Sequence, residues 1–250
     1  MKLNKYLYKA LSPNHNQNGK TRCPANTFFF SLLSARAAVK ILLAISGIFG
    51  ISLSIHAQAQ NGLEPLQVNL TKNIRQIEIK TDSQTIIIER NNDSPHSIEP
   101  PFDKTSRPCP PFCIQPVTAA PGVETLGELE MIEFLQKSST DDRVLIVDTR
   151  LSEWYRRETI PLAVNIPAES WTIGLEKLLK ERLGAKKTDN QWDYSNAKTL
   201  VLFCNGYWNP DSYETIQLLV GAGYPAEKLK WYRGGMQAWQ SLGLSTQIPR

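Results

Sequence analysis

Residues 144–147 (VLIV) and 200–203 (LVLF) are two short runs without a polar side chain. A strand with one wet face alternates apolar and polar residues. These runs do not, so each predicts a strand covered on both faces. Helix-period segments separate and follow them. "TLGELEMIEFLQ" opens on Thr125 and Glu128, a capping-box pair, and carries Leu126, Leu129, Ile132 and Leu135 at helical spacing. "SEWYRRE" predicts a short helix with Ser152 as cap, "AVNIP" a further strand, and "IGLEKLLKERLG" a helix closed by Gly184. "NPDSYETIQLLVGAGY" predicts a helix with Asn209 at the N-cap and Pro210 at its favoured first position. "LKWYRGG" and "MQAWQSLG" give a last strand and helix. Strands alternating with helices imply an α/β domain over residues 123–250, a parallel sheet with helices on both faces.

The formal charge of +4 belongs to the first part of the chain. Residues 1–59 hold seven of the 28 Lys and Arg residues and none of the 24 Asp and Glu, so the rest carries 21 basic against 24 acidic groups, a net of −3. No basic patch on the folded part suggests nucleic acid. Residues 41–55 (ILLAISGIFGISLSI) form an uncharged apolar stretch preceded by Arg36 and Lys40, and Ala57 and Ala59 occupy the −3 and −1 positions of a cut after Ala59. That is the pattern of a secretory signal, with an uncleaved anchor as the alternative; the stretch is short for a membrane span. Either way the folded part is expected outside the cytoplasm, in the periplasm or otherwise exported, with no membrane contact beyond the leader.

Behind the leader, residues 60–93 predict a β-hairpin extension. Ile77 and Ile79 alternate with polar residues, "TDSQ" supplies the turn, and residues 86–88 form an apolar run. An isolated hairpin is marginal in water, so this one must pack on something. Residues 94–122 form a Pro-rich arm that disfavours helix. Cys23 leaves with the leader; Cys109, Cys113 and Cys204 remain. In an oxidising compartment Cys109 and Cys113 can close a small local disulfide. The alternatives are a resolving-thiol role toward Cys204 and metal binding. The last is weak, because the chain beyond residue 59 offers one histidine, His96. No metal and no cofactor are expected. A thiol–disulfide oxidoreductase would need Cys-x-x-Cys at a helix start, which this pair does not provide.

Three stretches resemble the rhodanese superfamily: "VLIVDTRLSEWYRRETIPLAVNIP" (144–167) its opening strand and Asp-x-Arg signature, "LVLFCNG" (200–206) the strand delivering the active cysteine, and "LKWYRGGMQAW" (229–239) its Gly-Gly-x-x-x-Trp ending. They span about residues 123–247 in the family's order; the hairpin and the CPPFC segment lie outside. The resemblance implies that Cys204 takes a sulfane sulfur as a persulfide and passes it to a thiol or protein acceptor. The fold would put Cys204 at the carboxyl end of a central strand, where open α/β sheets bind ligands, facing the amino end of the next helix. Loop amides and the helix dipole would then favour a thiolate. The substrate-binding loop would comprise Asn205, Gly206, Tyr207, Trp208, Asn209, Asp211 and Ser212.

This loop departs from the family pattern. Asp211 stands where the resemblance leads one to expect Arg, Ser212 takes the hydroxyl position, and the loop is two residues longer. No Lys or Arg occurs between Cys204 and Glu227. Phosphoryl chemistry, which needs a cationic clamp on the equatorial oxygens, is thereby disfavoured. Tyr207 and Trp208 either form a lid over Cys204 or pack on the domain surface. Asp148 and Arg150 are expected to hold a strand end. Arg150 or Arg233 could instead lend positive charge to the loop, and Gly234 and Gly235 would serve a tight turn. Cys204 itself reads as a working thiol or as a buried small hydrophobe. The two resulting functions are sulfur carriage and a non-catalytic interaction module binding another exported protein, such as a periplasmic oxidoreductase.

Overall fold

The computed structural model describes residues 67–110 and 112–249; the leader and its expected cleavage site lie outside the described residues. The chain runs through a hairpin of β1 (Ile77–Lys80) and β2 (Thr85–Ile88), then β3 (Glu124–Thr125), α1 (Glu128–Ser138), β4 (Val144–Asp148), α2 (Ser152–Arg157), β5 (Val164–Asn165) and α3 (Ala168–Glu181). A second hairpin, β6 (Lys186–Thr188) and β7 (Gln191–Asp193), precedes β8 (Thr199–Phe203), α4 (Asp211–Gly221), β9 (Leu229–Tyr232) and α5 (Gly235–Ser241). Strands β3-β9-β8-β4-β5 lie side by side in that order and are parallel throughout. This is the expected α/β sheet.

The apolar runs behave as their composition requires. In β8, Val201 and Phe203 face one layer and Leu200 and Leu202 the other, all fully buried. On the first side they meet Met131, Ile132 and Leu135 of α1 with Met236 and Trp239 of α5. On the second they meet Trp171 and Leu179 of α3 with Ile216 and Leu219 of α4. Each buried Leu- or Phe-sized side chain contributes roughly 1.5–3 kcal/mol, so β8 anchors the sheet centre.

The N-terminal hairpin packs as its marginal stability demands. Ile79, Ile86 and Ile88 turn into the first layer beside α1 and α5, while Ile87 faces solvent. Beyond it the chain pairs with the C-terminal segment: Asn91 N donates to Gly243 O (2.7 Å) and Ser245 N to Glu89 O (3.1 Å).

Two local expectations are corrected. Helix α1 starts at Glu128 with Gly127 as its cap, and Glu130 accepts the Gly127 amide at 3.1 Å. Thr125 instead joins the sheet edge, its hydroxyl donating to Val117 O (2.6 Å). Its pairing with Trp231 of β9 takes it out of the helix start. Ser152 begins α2 without capping it; its hydroxyl donates to Asn165 Oδ1 (2.7 Å).

Candidate functional site

Cys204 follows β8 at the carboxyl edge of the sheet, with 1 % of its surface exposed. Its carbonyl accepts from Met236 N (3.0 Å), and that of Asn205 from Gln237 N (2.9 Å), so the start of α5 pins the chain at the cysteine. Gly235 makes this approach possible. Its φ is +57°, and a Cβ there would collide with the Cys204 carbonyl oxygen. This is a stricter demand than a tight turn alone.

From Cys204 the chain loops to α4. Asn209 Oδ1 accepts the Asp211 amide (3.2 Å), and Pro210 O accepts Glu214 N (2.8 Å). Helix α4 runs from Asp211, Asn209 makes the cap bond, and Pro210 between them already has helical angles. Ser212, fully buried, donates its hydroxyl to Cys204 Sγ at 3.1 Å. The indole Nε1 of Trp231 in turn donates to Ser212 Oγ at 3.0 Å. On the other side the thiol donates to Asn209 O at 3.3 Å. The sulfur therefore sits between a hydroxyl donor and a carbonyl acceptor.

The electrostatics follow from that setting. Burial pushes the Cys204 thiol above its ordinary pKa. The Ser212 hydroxyl and the backbone amides of Ser212 and Gly206 pull it down, while the Asp211 carboxylate pushes it up again. Asp211 is itself raised, chiefly by burial, with Glu214 and Asp148 adding to the shift and the bond to Asn209 opposing it.

Neither arginine weighed as a substitute cation serves the sulfur. Arg150 is buried and spends its guanidinium on Asp148 (Nη2–Oδ2 2.7 Å, Nε to both oxygens 3.0 Å) and on Glu158 O (2.6 Å). Thr159 adds a hydroxyl to Asp148 Oδ2 (2.8 Å), and Asn165 Nδ2 donates to the carbonyls of Asp148 and Arg150. This network fixes the end of β4 against the turn after α2. Arg233 reaches outward, donating to Gln115 O (2.6 Å) and Pro116 O (2.8 Å) and lying 4.9 Å over the Tyr207 ring.

The aromatic pair divides. Tyr207 is 40 % exposed, whereas Trp208 packs inward, its Nε1 donating to Gln237 Oε1 at 2.6 Å. The Pro-rich arm covers the pair. Phe112 meets the Trp208 ring edge-on at 5.0 Å, the Arg107 guanidinium lies 3.9 Å over the same ring, and Gln115 N donates to Tyr207 O (2.8 Å). Cys109 and Cys113 form a disulfide with Cα atoms 4.9 Å apart. The arm is thus attached to the Cys204 loop.

The sequence reading missed Trp231, Gln237, Arg107 and Phe112. Alternation in "LKWY" already puts Trp231 on one face with Leu229, but nothing local says that this face passes beneath Ser212. A cavity of about 380 Å³ lies elsewhere, lined by residues including Glu89, His96, Glu158 and Gln240 and by none of the 204–212 loop. Among the described residues no cluster of His, Cys, Asp and Glu could hold a metal ion, and no helix is long and apolar enough to cross a membrane.

Residues 131–242 match the family model described as Rhodanese-like domain. No curated protein matches the chain. Solved structures similar to it include a Bacillus halodurans protein (17% identity, TM-score 0.38, covering 50% of this chain and 76% of that one). Another is the thiosulfate sulfurtransferase from Pseudomonas aeruginosa (18% identity, TM-score 0.37), of which the match spans 21% and which covers 51% of this chain. A third is the rhodanese-like domain of an Anabaena sp. protein (15% identity, TM-score 0.36, covering 52% of this chain and 81% of that one).

Proposed function

We propose, from the match of residues 131–242 to the family model described as Rhodanese-like domain, that this chain is an exported sulfur carrier whose Cys204 cycles between thiol and persulfide. The observation that carries the reading is the donor at the sulfur: the Ser212 hydroxyl at 3.1 Å, held in place by the Trp231 indole at 3.0 Å. Hydrogen bonds to the charged form favour it, and a thiolate or a persulfide anion is what that donor suits. Loading proceeds by attack of the Cys204 thiolate on the outer sulfur of a sulfane donor. With thiosulfate, that sulfur joins Cys204 and sulfite leaves with the electron pair of the broken S–S bond. Discharge is attack on the same outer sulfur by a thiol or other nucleophilic acceptor, which regenerates the thiolate.

A second reading has its own support. Cys204 is 1 % exposed, burial raises its pKa, and the loop holds no cation. A non-catalytic module would instead present Tyr207 with the exposed Ile114 and Val117 of the arm to another exported protein, a periplasmic oxidoreductase among the candidates.

Intact-mass spectrometry after incubation with thiosulfate, and separately with a polysulfide, separates the two. Carriage gives a gain of one sulfur atom that Cys204→Ser abolishes and that cyanide or a thiol removes. No gain with either donor, on a thiol shown to be reduced and accessible under the same conditions, refutes it.

A further inference from the structure

The arm contacts the Cys204 loop in a way that a fixed structural brace would not need. Its ends are buried: Phe102 on one side, Ala119 and Ala120 on the other, with Gln217 donating to the Ala119 carbonyl. Between them, none of the described residues of 103–118 is buried. The segment holds on through a few partly exposed contacts. These are Arg107 and Phe112 on Trp208, Gln115 N on Tyr207 O, Arg233 on the carbonyls of Gln115 and Pro116, and the Thr125 hydroxyl on Val117 O. Segments with firm ends and little buried apolar surface between them sit at the low end of local stability and open without global unfolding.

What sharpens this segment is its disulfide. Cys109 and Cys113 close a small ring around Phe112, the residue that meets Trp208 edge-on, and Arg107 lies two residues before the ring. Trp208 in turn lies on Gln237, whose amide holds the Asn205 carbonyl next to Cys204. The ring restricts Phe112 to few conformations, and opening it returns the conformational freedom that favours release. Cys109 is exposed and Cys113 half-buried, so the bond can be approached from solvent.

We propose that the Cys109–Cys113 disulfide is a redox modification site, and that its reduction by a dithiol partner unlatches residues 103–118 from Trp208 and opens Cys204 to solvent. A thiolate of the dithiol attacks one arm sulfur and forms a mixed disulfide, and its second thiol then displaces that sulfur. Two electrons and two protons pass to the arm, which ends with two thiols, and the partner leaves as a disulfide. The proposal rests on the reading of Cys204 as a working thiol, and it supplies the access that a residue 1 % exposed lacks.

The test follows alkylation of Cys204 in the full chain with N-ethylmaleimide, read at the Cys204 peptide by mass mapping so that the arm thiols do not interfere. With the disulfide intact, labelling is slow. After dithiothreitol it becomes faster by about tenfold or more, without loss of the cooperative thermal transition. The double substitution Cys109→Ser with Cys113→Ser labels fast with or without reductant. Phe112→Ala, which keeps the disulfide, also labels fast and guards against a fold defect in the double variant. Equal Cys204 labelling of the oxidised and reduced protein overturns the proposal, as does acceleration by dithiothreitol in the double variant. Alkylation needs no sulfur donor, so a failure to load sulfur and a failure of the latch are seen separately.

Discussion

Trp231 and Ser212 lie 19 residues apart in sequence, yet the indole of one holds the hydroxyl of the other at 3.0 Å with its proton free for the Cys204 sulfur. The indole nitrogen is donor only, so Ser212 Oγ must accept from it and give its own proton elsewhere. The hydroxyl proton is left for the sulfur, which accepts it at 3.1 Å.

Ser212→Ala removes both bonds and leaves the Trp231 Nε1–H buried without an acceptor. A loss of about 1–3 kcal/mol is expected, measured by urea unfolding. The same change removes the leading group that pulls the Cys204 pKa down, so the pH profile of Cys204 alkylation moves to higher pH.

Asp211→Asn acts in the opposite direction on the sulfur. The carboxylate pushes Cys204 up, so its neutral amide shifts the alkylation profile to lower pH. It also changes stability. Burial raises the Asp211 pKa in the folded state, so the folded protein binds this proton more tightly than the unfolded chain. Stability from this group is present below the ordinary carboxylate value and is lost as pH rises through the raised one. Asp211→Asn is therefore more stable than the parent at neutral pH and equal to it in acid, as melting curves across that range would show.

Arg150→Met leaves Asp148 charged in the interior with its cation gone. Removing one partner of a buried pair costs about 3–5 kcal/mol. The single variant should unfold at much lower urea, and Asp148→Asn added to it should recover part of the loss. Arg150→Lys should not substitute, because one ammonium cannot reach both Asp148 oxygens and Glu158 O together.

Gly235→Ala places a methyl group against the Cys204 carbonyl at a positive φ. Strain of order 1–3 kcal/mol comes from the backbone alone, and the collision adds to it. The expected result is a lowered melting temperature together with loss of the protected Met236 amide in hydrogen exchange.

The sheet was legible because its signal is local. Residues 144–147 and 200–203 carry no polar side chain, and so short an apolar run suits a strand covered on both faces. The position of Cys204 at the end of such a run follows directly. The arm was legible as far as its prolines and not in its path. Nothing near Arg107 or Phe112 indicates Trp208, about a hundred residues on, because a stacking contact leaves no periodicity. Thr125 misled for a related reason: its spacing to Glu128 fits a capping box, and the pairing with β9 that overrode it is nonlocal. Arg150 and Arg233 share one side-chain type and opposite surroundings, which only their partners distinguish.

The hairpin β1–β2 lies outside the stretch matched by the family, yet Ile88 is as buried as any residue of β8. A boundary drawn by likeness to relatives is thus not the boundary of the cooperative unit. Amides of β1 and β2 should become exchangeable in the same event as those of β8. A fragment trimmed to residues 131–242 would expose the apolar surface of α1 and α5 that Ile79 and Ile88 cover, and would precipitate before it could be assayed.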